Sequence, residues 1–197
     1  MNGEVVEVEM TAAQITEARA QVAQQKVGLA KDSPEYKALD QQQRDYSESA
    51  GLLAASAYGS SHSNAIPLVT DFPDSGKSGQ FDMLYTYEND AGEIRILAVE
   101  AKGGSSNLGT RTLTDGTVAQ QGSAEYTQAI IDNMTTKYDN LIKATDYVPG
   151  TIFAEQVDAI GDTLDLIKDY PIDYHVVKQK FSTDNTNLLP EVTDLVN

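Results

Sequence analysis

Apolar positions recur along this chain first at helical spacing and then at strand spacing. Behind Thr11-Ala12-Ala13-Gln14, which has the form of a capping box, Ile15, Ala18, Val22 and Leu29 return at roughly helical intervals, and the run ends near Gly28. A second helix opens at Ser33-Pro34-Glu35, with serine as cap, proline in the first helical position and a glutamate favoured by the helix dipole. Tyr36, Leu39, Tyr46, Ala50, Leu53 and Ala57 form one apolar stripe to about Tyr58. After Gly51 the other faces turn apolar too, which places the C-terminal half of this helix inside the protein.

Residues 59–79 are rich in Gly, Ser, Pro and Asp and read as a loop, with a short strand at Ile66 to Val69. Two runs of strand composition follow, Phe81 to Tyr87 and Ile94 to Val99, joined by Glu88-Asn89-Asp90-Ala91-Gly92, so the pattern predicts a β-hairpin. Residues 103–116 read as a flexible polar loop, and Val118 to about Tyr138 as a helix that buries Val118, Gly122, Ala129, Ile130 and Met134. A further helix spans Phe153 to about Lys168. Pro171 ends it, and Ile172 to Phe181 reads as a strand pairing with the hairpin core, with Lys178 and Lys180 on one face. The tail from Ser182 reads as polar and frayed, and the valines and glutamates of residues 1–10 as a short strand or an arm. The fold class expected is α/β.

The second hairpin strand is almost wholly apolar until it ends in Glu100-Ala101-Lys102. Residues two apart share a strand face, so Glu100 and Lys102 project together, and Asp82 joins them across the hairpin. Two carboxylates converging near a lysine can hold a hard divalent cation through oxygen, leaving the ammonium to orient water or to stabilise charge on a phosphate. That chemistry is phosphodiester hydrolysis. Gly76-Lys77-Ser78 does not make a phosphate loop, because Asp71 stands where that motif requires glycine. His62 and His175 lie far apart in sequence and have no neighbouring nucleophile pattern.

Asp82, seventeen intervening residues and Glu100-Ala101-Lys102 resemble the motif of the PD-(D/E)XK nuclease superfamily. The continuation Gly103-Gly104, then Leu108-Gly109-Thr110-Arg111, then Gln121-Gly122-Ser123-Ala124-Glu125-Tyr126 is similar to the AKGG, LGxR and QGxxxY segments of nuclease domains that end bacterial polymorphic toxins. The resemblance covers about residues 45–180. It implies a restriction-endonuclease-like core, a central mixed sheet flanked by helices, here with a helical N-terminal extension. It implies Mg²⁺ or Mn²⁺ held by Asp82 and Glu100, with the Ala101 carbonyl as an added ligand, and Lys102 positioning the attacking water. A glutamate from the preceding helix is expected at Glu48, with Asp45 as the alternative. A glutamine reaching back from the following helix is expected at Gln121, with Gln120 as the alternative, and Tyr126 as a packing residue. Lys77 and Arg111 are expected to touch nucleic-acid phosphates.

Charge complicates the picture. The chain of 197 residues carries 14 basic and 30 acidic side chains, a net of -16, whereas nucleic-acid-binding surfaces are ordinarily basic. Lys77, Arg95, Lys102 and Arg111 nevertheless cluster in sequence around the proposed site. With no cysteine, the chain has neither disulfides nor thiolate metal sites. It has no apolar run of the roughly twenty residues a membrane span needs, and Met1-Asn2-Gly3-Glu4 is not the start of a signal peptide. The expected division is an extension or linker to a carrier at 1–32, the nuclease domain at 33–181 and a polar tail at 182–197. The expected partners are DNA ahead of tRNA, a cognate immunity protein and a larger upstream delivery protein, with action in the cytoplasm of a target bacterium. The reading from a different class is a noncatalytic acidic binding or immunity-type protein.

Overall fold

A computed structural model describes residues 10–73, 79–182 and 188–194. Helix α1 (Ala12–Gln25) begins with the capping box: the Thr11 hydroxyl accepts from the Gln14 N–H, and the Gln14 side chain accepts from the Thr11 N–H. α1 buries Ile15 and Val22 against α2 (Pro34–Ser60), so the extension packs on the domain. α2 starts where its cap and proline place it, with the Ser33 hydroxyl accepting from the Tyr36 N–H.

The hairpin is present as β2 (Met83–Glu88) and β3 (Ile94–Gly103), with β1 (Ile66–Leu68) added antiparallel to β2. Gly92 supplies the positive φ of the turn, and the Asn89 side chain accepts from the Ala91 and Glu93 N–H groups inside it. Beyond β3, the predicted flexible loop contains β4 (Thr110–Thr112), which pairs with β5 (Val118–Gln120). The helix expected from Val118 therefore starts later, as α3 (Ala124–Leu141), capped by Ser123. Val118 is 65% exposed, and Gly122 takes φ +91° in the turn before the helix, a conformation that ends one pairing and re-aims the chain.

α4 (Ile152–Asp169) leads into β6 (Ile172–Phe181), which lies parallel to β3, and β7 (Leu188–Asp194) returns antiparallel to β6. The expectation of a frayed tail from Ser182 is thus corrected over residues 188–194, which the unsatisfied ladder of β6 recruits as an edge strand. The sheet is mixed, in the order β1-β2-β3-β6-β7.

Alternation along β3 divides the core. Ile96 and Ala98 face α3 and α4, packing with Leu84, Ile130, Met134, Ile160 and Tyr174, while Leu97 and Val99 face α2, packing with Ala55, Tyr85 and Val177. α2 comes down on the sheet through small residues, not through the large members of the predicted stripe: Ala50, Gly51, Ala55 and Gly59 are buried, whereas Ala57 is exposed. A Cβ on Gly51 would stand 2.8 Å from the Lys102 carbonyl carbon, and one on Gly103 only 1.8 Å from the Ser47 oxygen. Helix and strand backbones therefore touch at the end of β3.

Both groups in that contact are backbone and cannot turn aside. Gly103→Ala should accordingly cost about 3 kcal/mol or more. Gly116→Ala, at φ +84° in open space, should cost only about 1 kcal/mol of backbone strain. Urea unfolding of the two variants checks this, and equal losses would remove the packing explanation.

Candidate active site

The antiparallel ladder between β2 and β3 ends at the pair Met83 and Val99, so the next residues, Asp82 and Glu100, face one another where the strands begin to part. Asp82 Oδ2 accepts from the Ala101 N–H at 2.9 Å, a side chain continuing the pairing that the β2 backbone has given up. Glu100 is gripped on both oxygens. Lys102 Nζ donates to Oε1 at 3.0 Å and the Tyr174 hydroxyl to Oε2 at 3.0 Å. The Glu100 and Lys102 side chains are only 12% and 18% exposed, so this pair is less screened than a surface salt bridge.

Asp82, Glu100, Ala101 and Lys102 line a cavity of about 310 Å³ with Glu48, Leu52, Asp71, Phe81, Gly103 and Ser106. Asp82 keeps accessible surface, yet the protein crowding this pocket, followed by the charge of Glu100, pushes its carboxyl up to about 7. Tyr174 is raised well above the usual phenol range by burial first and then by Glu100.

Of the other predicted residues, Glu48 stands on the pocket wall, while its alternative Asp45 is exposed and accepts from Gln41. Ala101 lines the pocket and makes its contact with Asp82 through its N–H. Gln121 does not line the pocket. It is buried and clamps the chain at Gly109, its Oε1 accepting from the Gly109 N–H at 2.9 Å and its own N–H donating to the Gly109 carbonyl at 2.9 Å. Gln120 is exposed on β5. Tyr126, expected only to pack, feels the charges of Glu100 and Asp82, and burial, then Glu100, raises its hydroxyl.

Arg111 is turned to structural use, donating to the Ala129 carbonyl at 3.1 Å beneath the Tyr126 ring. Arg95 lies at the opposite end of β3, bound to both oxygens of Asp173, so it adds nothing to the site's charge. Lys77 lies outside the described residues. Sequence reasoning missed Asp71, which accepts from Gln80 Nε2 on the pocket wall, and Tyr174. Tyr174 belonged to a predicted strand, but only the β3–β6 register brings it to Glu100.

A larger cavity of about 770 Å³ lies between β4 and α3, lined by Arg111, Glu125 and Asp132 among others. Of these two cavities the smaller is the stronger candidate, because its lining joins carboxylates to a lysine and that of the larger has no lysine. Among the described residues no three Asp, Glu or His side chains gather as a metal-holding set. Two carboxylates nonetheless fit a small hard cation such as Mg²⁺, which ordinarily retains several waters and takes one or two carboxylates. No family model, curated protein or solved structure matches the chain.

The pH dependence follows from the sign of the Asp82 shift. A carboxyl raised on folding contributes stability below the ordinary carboxylate range, and that contribution is lost as pH rises to about 7. In chelator, Asp82→Asn should therefore match the parent at pH 4 and exceed it at pH 8 by about 1 kcal/mol, a modest figure because water screens the accessible carboxylate. Thermal melts at the two pH values check this, and a variant less stable at pH 8 would contradict it.

Proposed function

We propose that the protein is a metal-dependent nuclease that hydrolyses phosphodiester bonds. The observation that carries this reading is the meeting of Asp82, Glu100 and Lys102 in one pocket at the end of β3. Asp82 and Glu100 would hold Mg²⁺ or Mn²⁺. When bound, the cation supplies Lewis-acid polarisation of phosphoryl oxygens. Lys102, fixed against Glu100, holds the attacking water and offsets negative charge on the phosphate, while Tyr174 keeps the Glu100 carboxylate aimed. Glu48 lines the same pocket from the helix side. The order of helix, antiparallel hairpin, helix and parallel returning strand supports reading the α/β core as restriction-endonuclease-like.

The toxin-like segments from Lys102 to Tyr126 support an effector delivered into a target bacterium by a larger upstream protein and acting on DNA ahead of tRNA. A producing cell then needs an immunity protein, and against a chain of net charge -16 its contact surface would be basic. The same charge favours the second reading, a noncatalytic acidic binding protein.

Incubation with plasmid and with total tRNA, with Mg²⁺ or chelator, separates the two. Cleavage that requires the cation is expected, and Lys102→Ala should lower its rate by about a hundredfold or more, with a lower melting temperature because Glu100 loses its cation, while the folded state persists. Expression of the intact chain in bacterial cytoplasm, with Glu100→Ala as control, tests the toxin role. Equal growth with undamaged DNA and RNA would favour the binding protein.

A further inference from the structure

Beside the site a second cavity of about 310 Å³ shares Lys102 and Ser106 with it, and is completed by Asn107, Val176, Lys178, Lys180 and Glu191 among its lining. Its floor follows from register. Lys102 on β3 is the in-register partner of Lys178 on the parallel strand β6, and Lys178 in turn faces Glu191 on β7. Residues two apart share a face, so Lys178 and Lys180 both rise on the side that carries Glu100 and Lys102. The place is the carboxyl end of the parallel pair, where open α/β sheets ordinarily take their ligands.

Charge distinguishes this cavity from its neighbours. A third cavity next to the site sets Arg19 and Arg44 against Asp40 and Glu48, and the large one sets Arg111 against Glu125 and Asp132. The cavity at Lys178 sets three lysines against Glu191 alone. Glu191 is bound to Lys180 and Lys102 to Glu100, whereas Lys178 attracts the Glu191 carboxylate opposite it without an ion pair of its own among the described residues. Two lysines in register on neighbouring strands repel one another, and with Glu100 on Lys102 and Glu191 on Lys180 the three lysines face two carboxylates, which leaves one positive charge for a further anion. In so acidic a chain, such a pocket is a specific provision for negative charge.

We propose that this cavity is a phosphate subsite, in which Lys178, assisted by Lys180 and the polar wall of Ser106 and Asn107, holds the backbone phosphate next to the one being cleaved. The inference rests on the nuclease reading and extends it. A substrate strand would cross the carboxyl ends of β3 and β6, with the scissile phosphate at Lys102 and its neighbour at Lys178. A backbone contact of this kind discriminates by strand length, not by base or sugar. Trimming the substrate to a single phosphodiester should therefore forfeit it.

The test compares parent, Lys178→Gln, Lys178→Arg and the remote control Lys168→Gln. Cleavage of matched 12-mer DNA and RNA single strands is measured in Mg²⁺, and binding in Ca²⁺ with the Glu100→Gln change added. We expect Lys178→Gln to raise KM and weaken binding about five- to tenfold on whichever strand the parent uses, with kcat within twofold. The slope of log affinity against log salt should fall by about 1. Arginine should restore binding, the control should match the parent, and a dinucleotide should show no difference between parent and variant. A parent that cleaves while Lys178→Gln keeps the parental KM and salt slope overturns the subsite alone. A parent that neither cleaves nor binds either strand overturns the nuclease reading and the subsite with it.

Discussion

Everything at the candidate site depends on the contact between the backbones of α2 and β3. The interior of a protein is close-packed, and two elements approach only as near as the side chains between them allow. Here nothing intervenes: Gly51 meets the carbonyl of Lys102, Gly103 meets the carbonyl of Ser47, and further along α2 Gly59 receives the ring of Tyr85. With α2 seated this low, Glu48 and Leu52 form a wall beside the last residues of β3. A larger side chain at either glycine would lift the helix and open that wall.

On the floor so formed, β3 passes from core to pocket without changing its alternation. Ile96 and Ala98 are buried beneath α3 and α4; Glu100 and Lys102 continue the same face past the edge of that cover. A lone half-buried carboxylate would be costly, and Glu100 is stabilised by a cation and a phenol. Asp82 is less fully compensated. Burial first, and then the like charge of Glu100, raise its carboxyl, and the one backbone N–H it receives offsets them only in part. Carboxylates left in this condition favour either a proton or a metal cation, and the first competes with the second as pH falls.

Within a net charge of -16, the fold redistributes the basic side chains. Arg95 and Arg111, which the linear sequence sets beside the motif, are spent on Asp173 and on the Ala129 carbonyl. Lys178 and Lys180, more than seventy residues from Lys102, are the cations that β6 delivers to it. Proximity in sequence therefore misjudged which basic groups stand near Lys102, because strand register and not chain distance sets their neighbours.

Much of the fold was legible in the residues themselves. Thr11 and Ser33 mark helix starts because their hydroxyls satisfy N–H groups that no helix can satisfy internally; Gly92 marks the turn; and period-two alternation shows that Glu100 and Lys102 share a face. These are local constraints, decided within a few residues. The tertiary structure alone decided the rest. β4 and β5, of three residues each, are too short to signal themselves, and exist because each supplies the other's hydrogen bonds. β7 looks like a tail until β6 offers it a ladder. Gln121, Arg111, Tyr174 and Lys178 could be named as residue types, but whether each faces the pocket, clamps a loop or steadies a carboxylate follows from contacts between residues 12 to 74 positions apart or more. No short-range pattern encodes those.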